Sequence, residues 1–417
     1  MEATRVGLRT ASEQHKEQDD QHTYNEETYM ARWLRRAFLA ILGLLVLAAA
    51  AIQLTGHGYF WTALRHTYLD GHNTAHIDDA RNFPQAVIAG GRPQPWPVAA
   101  VQRPLSESLR AYLSEHRSAA FLVAHRGELI HETYFAPYSA ESRTNGFSMV
   151  KTLTTLLAGA AVADGILPDF DAPAARWLPE YAGHPLGAQA TLAQFSAMTS
   201  GHEWTENYYL PLNPTTELYF GGDAAGVVLR QGFERAPGTA FEYSSASTQV
   251  LAVALQRALR ERDPGQSLSR YLSQRLWQPL GLADASWSLD RPREQGGMEM
   301  AYCCVHSRAR DMARIGQLLL QDGQWNGQAL LPAAFVQRIT QPNGLARFYG
   351  HGLWMDPDHA PPFYFLQGHL GQYVIVVPSE ALVIVRLGQY RTQERTRHAQ
   401  IRDEVYRYVE EALRMVR

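Results

Sequence analysis

The residues that could do chemistry are few and conspicuous by type. The chain has 417 residues and carries 36 arginines but only two lysines, Lys16 and Lys151. Lys151 lies in the stretch GFSMVKTLTT, residues 146–155, three positions after Ser148. Arginine can replace a surface lysine, yet it does not give up its proton at ordinary pH, whereas a buried lysine can. A neutral amine beside a serine hydroxyl can take its proton and leave an alkoxide able to attack a carbonyl. On a helix, positions i and i+3 share a face, so the pair falls within hydrogen-bonding reach. A helix N-terminus at Ser148 adds positive potential that favours the alkoxide, and Phe147, Met149, Val150 and Leu153 supply apolar surroundings. A coding bias against lysine, with a serine nearby by chance, would leave the same spacing, so the spacing alone does not decide.

An acyl transfer also needs a proton route to the leaving group and donors for an oxyanion. FEYSSAST, 241–248, offers Tyr243 with Ser245 two places on, and GHLGQYVIVVP, 368–378, offers His369-Leu370-Gly371 at the head of a strand, where an exposed backbone N–H can face a site. These groups are far apart in the chain and need a scaffold. Residues 108–117 have helical spacing, and 119–135 read as two strands meeting at Arg126-Gly127. Near the other end, 373–378 and 381–388 are β-branched runs around a short turn. Residues 396–417 follow as an amphipathic helix, with Ile401, Val405, Val409 and Leu413 at four-residue steps. Between them, 148–345 reads as helices broken by Pro and Gly. Strands from both termini with helices between imply an α+β fold, with one antiparallel sheet closed by distant parts of the chain and a helical lobe.

Residues 37–54 form an 18-residue run with one polar member, Gln53, and no charge, about the minimum length for a bilayer. Arg32, Arg35 and Arg36 precede it, and the positive-inside rule places residues 1–36 in the cytoplasm and the bulk of the chain outside the inner membrane. A cleaved signal peptide is the alternative. Residues 55–100, rich in Gly, Pro and His, read as a linker to a domain over 101–417. A net charge of −3 without a basic stripe argues against nucleic acid. The two cysteines, Cys303 and Cys304, are adjacent and cannot staple distant parts of the fold; buried apolar thiols are expected. His72 and His76 have helical metal-ligand spacing but lack an accompanying glutamate, so neither metal nor cofactor is expected.

The order S-x-x-K, then Y-x-S about 95 residues on, then H-x-G before a C-terminal strand resembles the serine β-lactamase and penicillin-binding protein superfamily. The likeness is strongest to its class C, esterase and 6-aminohexanoate-dimer hydrolase branch, over roughly residues 101–415. TLAQFSAMTSGHEWTENYY, SRARDMARIGQLLLQDGQWNGQALLP and YGHGLW add to it. The resemblance implies Ser148 as the acylated nucleophile, Lys151 as its base and Tyr243 as the proton shuttle. It further implies that Ser245 and His369 line the site, with the N–H groups of Ser148 and Gln372, which follows Gly371, as the oxyanion hole. His369 stands where a β-lactamase has the lysine of K-T-G, and Ser245 where it has asparagine. Both departures point from β-lactams towards esters, small amides or peptides. Trp204, with Tyr208 and Tyr209, is expected to wall the pocket. The rival expectation is a membrane-anchored sensor of penicillin-like ligands that is acylated without turnover. No protein partner is deducible.

Overall fold

The computed structural model describes residues 11–417. A long helix, α1 (Ala11–Leu54), belongs to a first unit that ends at Gly58, and everything from Tyr59 onward folds as a second. Within α1 the segment Asp20–Leu54 is long and apolar enough to cross a membrane.

The residues expected as an open linker are folded from Tyr59 on. Helix α2 (Tyr59–His66) buries Tyr59 and Ala63 against the helix Pro214–Phe220. Strand β1 (Gln85–Ile88) pairs antiparallel with a strand some 200 residues later. The Gly and Pro residues that suggested a tether serve as turns between these short elements. Short elements carry too little periodicity to show in a sequence.

Helix α3 (Glu107–Glu115), capped by Ser106, leads into strands β2 (Ser118–His125) and β3 (Glu128–Tyr134), the hairpin expected at Arg126-Gly127. After β4 (Thr144–Asn145) a single 3-10 turn, Phe147–Met149, runs into helix α4 (Val150–Ala163). Strands β5 (Ala285–Ser288) and β6 (Val305–Ser307), the small hairpin β7 (Gln324–Trp325) and β8 (Gln328–Ala329), and then β9 (Trp354–Asp356), β10 (Phe363–Gly368), β11 (Gln372–Val377) and β12 (Leu382–Gly388) complete the set. Six strands form an antiparallel sheet in the order β3-β2-β12-β11-β10-β9. The N-terminal hairpin therefore lies beside the C-terminal one, with Val123 opposite Ile384, as the two β-branched termini implied.

Alternation along these strands serves two buried faces. Leu122, Val374, Val376, Val383 and Val385 face the helical side, where Gly316 of the helix Ala309–Leu320 lets the backbone sit against Val374 and Val383. Phe121, Val123, Ile375 and Ile384 face α3 and the C-terminal helix Asp403–Val416. That helix starts seven residues later than its periodicity suggests. The Asp403 carboxylate accepts from the backbone N–H and hydroxyl of Thr396 and from the N–H of Arg397, which holds the preceding residues as a loop.

A second sheet, β1-β5-β6-β4, was not foreseen, because its strands have only two to four residues each. It carries β4 straight into the serine turn. Cys303 and Cys304 lie buried before β6, as expected of small apolar residues, but they are joined to each other as a disulfide rather than held as free thiols.

Candidate active site

The turn that presents Ser148 is built by residues on both sides of it. Phe147 adopts a left-handed backbone, φ 46°, which a residue with a side chain takes only when its surroundings hold it there. The Asn145 side-chain oxygen accepts from the Phe147 N–H at 2.9 Å, and its amide donates to Asp79 at 3.0 Å. Asp79, fully buried, also receives the Tyr219 hydroxyl, and burial raises its carboxyl to about 6. A carboxyl from the supposed linker thus braces the serine turn. Ser148 itself remains half-exposed and faces a cavity.

Lys151, one turn later on α4, is 1% exposed. Its Nζ lies 3.0 Å from Ser148 Oγ, 3.1 Å from Ser245 Oγ and 3.1 Å from the Tyr302 carbonyl oxygen. Burial lowers its pKa to about 8, while the Glu206 charge pulls the other way. Near neutrality an appreciable share of this amine is therefore unprotonated.

The hydrogen-bond directions decide where its lone pair points. The Ser245 hydroxyl has one proton, and it donates that proton to Glu206 Oε1 at 2.6 Å. Ser245 can therefore only accept from Lys151, and a carbonyl such as that of Tyr302 can only accept. With its two N–H bonds so committed, the neutral amine turns its lone pair to Ser148.

Glu206 is the hub of this cluster. Its second oxygen accepts from the Ser245 N–H at 2.8 Å and the Trp204 indole at 2.7 Å, and the Tyr208 hydroxyl donates to the first at 2.5 Å. The sequence reading did not single it out; the available signal was an acid among Trp204, Tyr208 and Tyr209. Trp204 is buried, and the contact it makes is with Glu206 rather than with the cavity wall. Tyr208 and Tyr209 do line the cavity.

Tyr243 comes in just before the helix Ser245–Arg262, which Ser244 caps. Lys151 Nζ sits 5.1 Å from its ring centre, and the ring packs on Tyr349 and Trp354. Burial pushes its phenol pKa up and Glu206 adds to that, while a hydrogen bond with Ser148 and the Arg391 charge offset part of it. The phenol therefore keeps its proton at neutral pH.

His369 lies on the cavity wall with its Nε2 3.2 Å from the Thr74 hydroxyl. Burial, with Arg391 and Arg402 nearby, drops its pKa to about 3, so it brings no positive charge. The tight turn of residues 369–371 needs Leu370 and Gly371 at φ 62° and 87°. The fully buried Arg386 pins it by donating to the carbonyls of Leu370 and Gly371 at 3.1 and 2.8 Å. A side chain on Gly371 would run into the Arg386 guanidinium, so glycine is required twice over. The Gln372 side chain turns away, bonding to the His369 and Gly388 carbonyls, which leaves only its backbone to serve a site. Gly368 lets β10 approach the serine turn, its Cα lying against the Gly146 carbonyl.

Comparisons with known proteins bear on the family and the fold. The Beta-lactamase family profile matches residues 107–407. The chain belongs to the beta-lactamase family. Membership places it among serine hydrolases of that family. A 6-aminohexanoate-dimer hydrolase from Paenarthrobacter ureafaciens is 29% identical over 245 residues, covering 55% of this chain and 59% of that protein. The chain thus matches less than two thirds of that relative's length. In fold it is similar to a Bacillus anthracis protein named as a candidate 6-aminohexanoate-dimer hydrolase. The TM-score is 0.67 at 21% identity, over 84% of this chain and 92% of that one. A family VIII carboxylesterase superposes with TM-score 0.56 at 16% identity over 76% and 99% of the two chains. A penicillin-binding protein homologue from Caulobacter crescentus gives 0.57 at 18% over the same shares.

Proposed function

We propose that the protein is a membrane-anchored hydrolase of esters, small amides or peptides that works through an acyl-enzyme on Ser148. The observation that carries this reading is the lone buried lysine, whose remaining hydrogen-bond partners leave its lone pair for Ser148 Oγ. In the first half-reaction Ser148 Oγ attacks the carbonyl carbon and its proton passes to Lys151 Nζ. The oxyanion is received by the backbone N–H groups of Ser148 and Gln372. Tyr243 donates its proton as the bond to the leaving group breaks, and recovers one from the Lys151 ammonium. A water then repeats the sequence in reverse, with Tyr243 and Lys151 taking its proton and Ser148 departing as a hydroxyl. Ser245 holds the amine in place, and His369 walls the site. The apolar part of α1 would serve as the anchor, with the catalytic unit on the extracytoplasmic side.

The uncharged His369 supports esters and neutral amides over β-lactams, since it offers no cation to a carboxylate. The relative's name points to a linear amide, and the carboxylesterase neighbour to an ester. The test is a fluorophosphonate probe followed by mass spectrometry of the labelled peptide, alongside turnover of short esters, linear amides and a chromogenic cephalosporin. Labelling at Ser148, lost in Ser148→Ala together with turnover, is the expected result. Persistent labelling in that variant would sink the assignment.

A further inference from the structure

The cavity in front of Ser148 has a volume of about 410 Å³. Among the described residues that line it there is no Asp, Glu, Lys or Arg. Its one histidine, His369, is neutral. Most of the polar side chains on the wall have spent their protons elsewhere. Thr67 donates to the Ala63 carbonyl at 2.7 Å, Thr215 to that of Thr205 at 2.7 Å and Thr216 to that of Leu210 at 2.6 Å. The Tyr208 and Tyr219 hydroxyls donate to Glu206 and Asp79, behind the wall. Apart from the exposed Tyr68, Asn73 and Tyr209, what remains facing the space is mostly hydrocarbon and ring, including Phe60, Ala63, Leu64, Phe147, Leu210 and Phe220.

Three of these, Phe60, Ala63 and Leu64, belong to α2 and lie before residue 107, where the family match begins. The wall thus draws partly on residues outside the matched family profile. The same end of the molecule exposes Trp61, Leu69, Tyr209, Leu210 and Leu212, residues adjacent in sequence to the wall or part of it. A charged or zwitterionic substrate would lose its hydration there and find no opposite charge on the wall. An aliphatic chain loses nothing and gains from burial.

We propose that this cavity binds an aliphatic chain of the substrate, so that the natural substrates are esters or amides carrying a medium to long alkyl or acyl group. This rests on the reading of Ser148 as the nucleophile. The chain can belong to the acyl part or to the leaving alcohol, and two substrate series tell them apart.

The full chain in phospholipid nanodiscs is assayed with 4-nitrophenyl esters from acetate to octanoate, and with alkyl acetates from ethyl to octyl. One of the series is expected to show kcat/KM rising about threefold per methylene until the cavity is filled. Rates that stay within twofold or fall with length in both series, while acetate turnover still depends on Ser148, would overturn the inference and leave the nucleophile intact. Absence of any Ser148-dependent turnover would overturn both. Ala63→Phe, which fills part of the space, should cut the octanoate to acetate ratio about tenfold. Phe60→Ala, which only removes volume, should shift the optimum to longer chains; an unchanged optimum in both variants would count against the cavity as the chain's site.

Discussion

Ser148 stands between two regions of opposite character. Behind it, within about one side-chain length, are the buried amine of Lys151, the Glu206 carboxylate and the hydroxyls of Ser245 and Tyr208, each with an assigned hydrogen-bond direction. In front of it is a cavity with no charged wall residue, whose hydroxyls are mostly turned away. On the proposed reading the first region moves one proton and the second receives an apolar chain of the substrate. Separating the two lets the amine stay dry and low in pKa without a substrate charge disturbing it. It also means that variants behind the serine should change kcat and its pH profile, whereas variants in front should change which substrate is preferred.

Lys151→Arg tests the rear region most severely. It preserves a cation but removes the possibility of a neutral base, and kcat should fall by about 10³-fold or more at every pH. Rapid-quench or steady-state assays with retained turnover would show that the amine is not the base. Tyr243→Phe keeps the ring on Tyr349 and Trp354 but loses the transferable proton, and a loss of about 10²-fold is expected. That loss should shrink for substrates with acidic leaving groups such as 4-nitrophenol, which need no protonation, and an equal loss for alkyl and nitrophenyl esters would count against the shuttle.

Glu206→Gln should have the smallest effect on rate, about tenfold, but the most informative shape. A glutamine can offer its one oxygen to the Ser245 and Trp204 N–H groups only by turning its NH₂ to the Ser245 and Tyr208 hydroxyls. The Ser245 proton is then free to point at Lys151 and compete with that of Ser148. Loss of the Glu206 charge also removes the influence that raises the Lys151 pKa, so the acid limb of the pH–rate profile should move to lower pH. A variant with lower kcat and an unmoved limb would make Glu206 a packing residue only.

The two regions were not equally legible in the sequence. The rear one is made of motifs at fixed spacings: the one lysine after Lys16, a serine three residues before it, and Tyr243 two before Ser245. One helical turn places the first pair, and it does so at 3.0 Å. The two β-branched hairpins were readable for a similar reason, since each is local and strongly alternating, and their pairing across the sheet follows once both need a neighbour. Glu206 escaped notice because a single acid has no spacing, and its meaning comes from four donors converging in space. The front region was read as a linker over 55–100 because α2 has eight residues and β1 four, too few for a periodic signal. Asp79 shows the cost of that reading, as it braces the serine turn through Asn145 from a segment with no motif of its own. The C-terminal helix was placed early because its apolar steps begin at Ile401, a residue that is buried before the helix itself begins.

The central claim is that a neutral Lys151 takes the proton from Ser148. Its most direct test is the single-turnover acylation rate of the full chain with a 4-nitrophenyl ester, followed as a function of pH with the acylated peptide identified by mass spectrometry. A base whose pKa is lowered to about 8 predicts a rate that climbs about tenfold per pH unit on the acid side and levels off above that value, with the acyl group on Ser148. A rate that is flat between about pH 6 and 9, or an acyl group found on another residue, would contradict it.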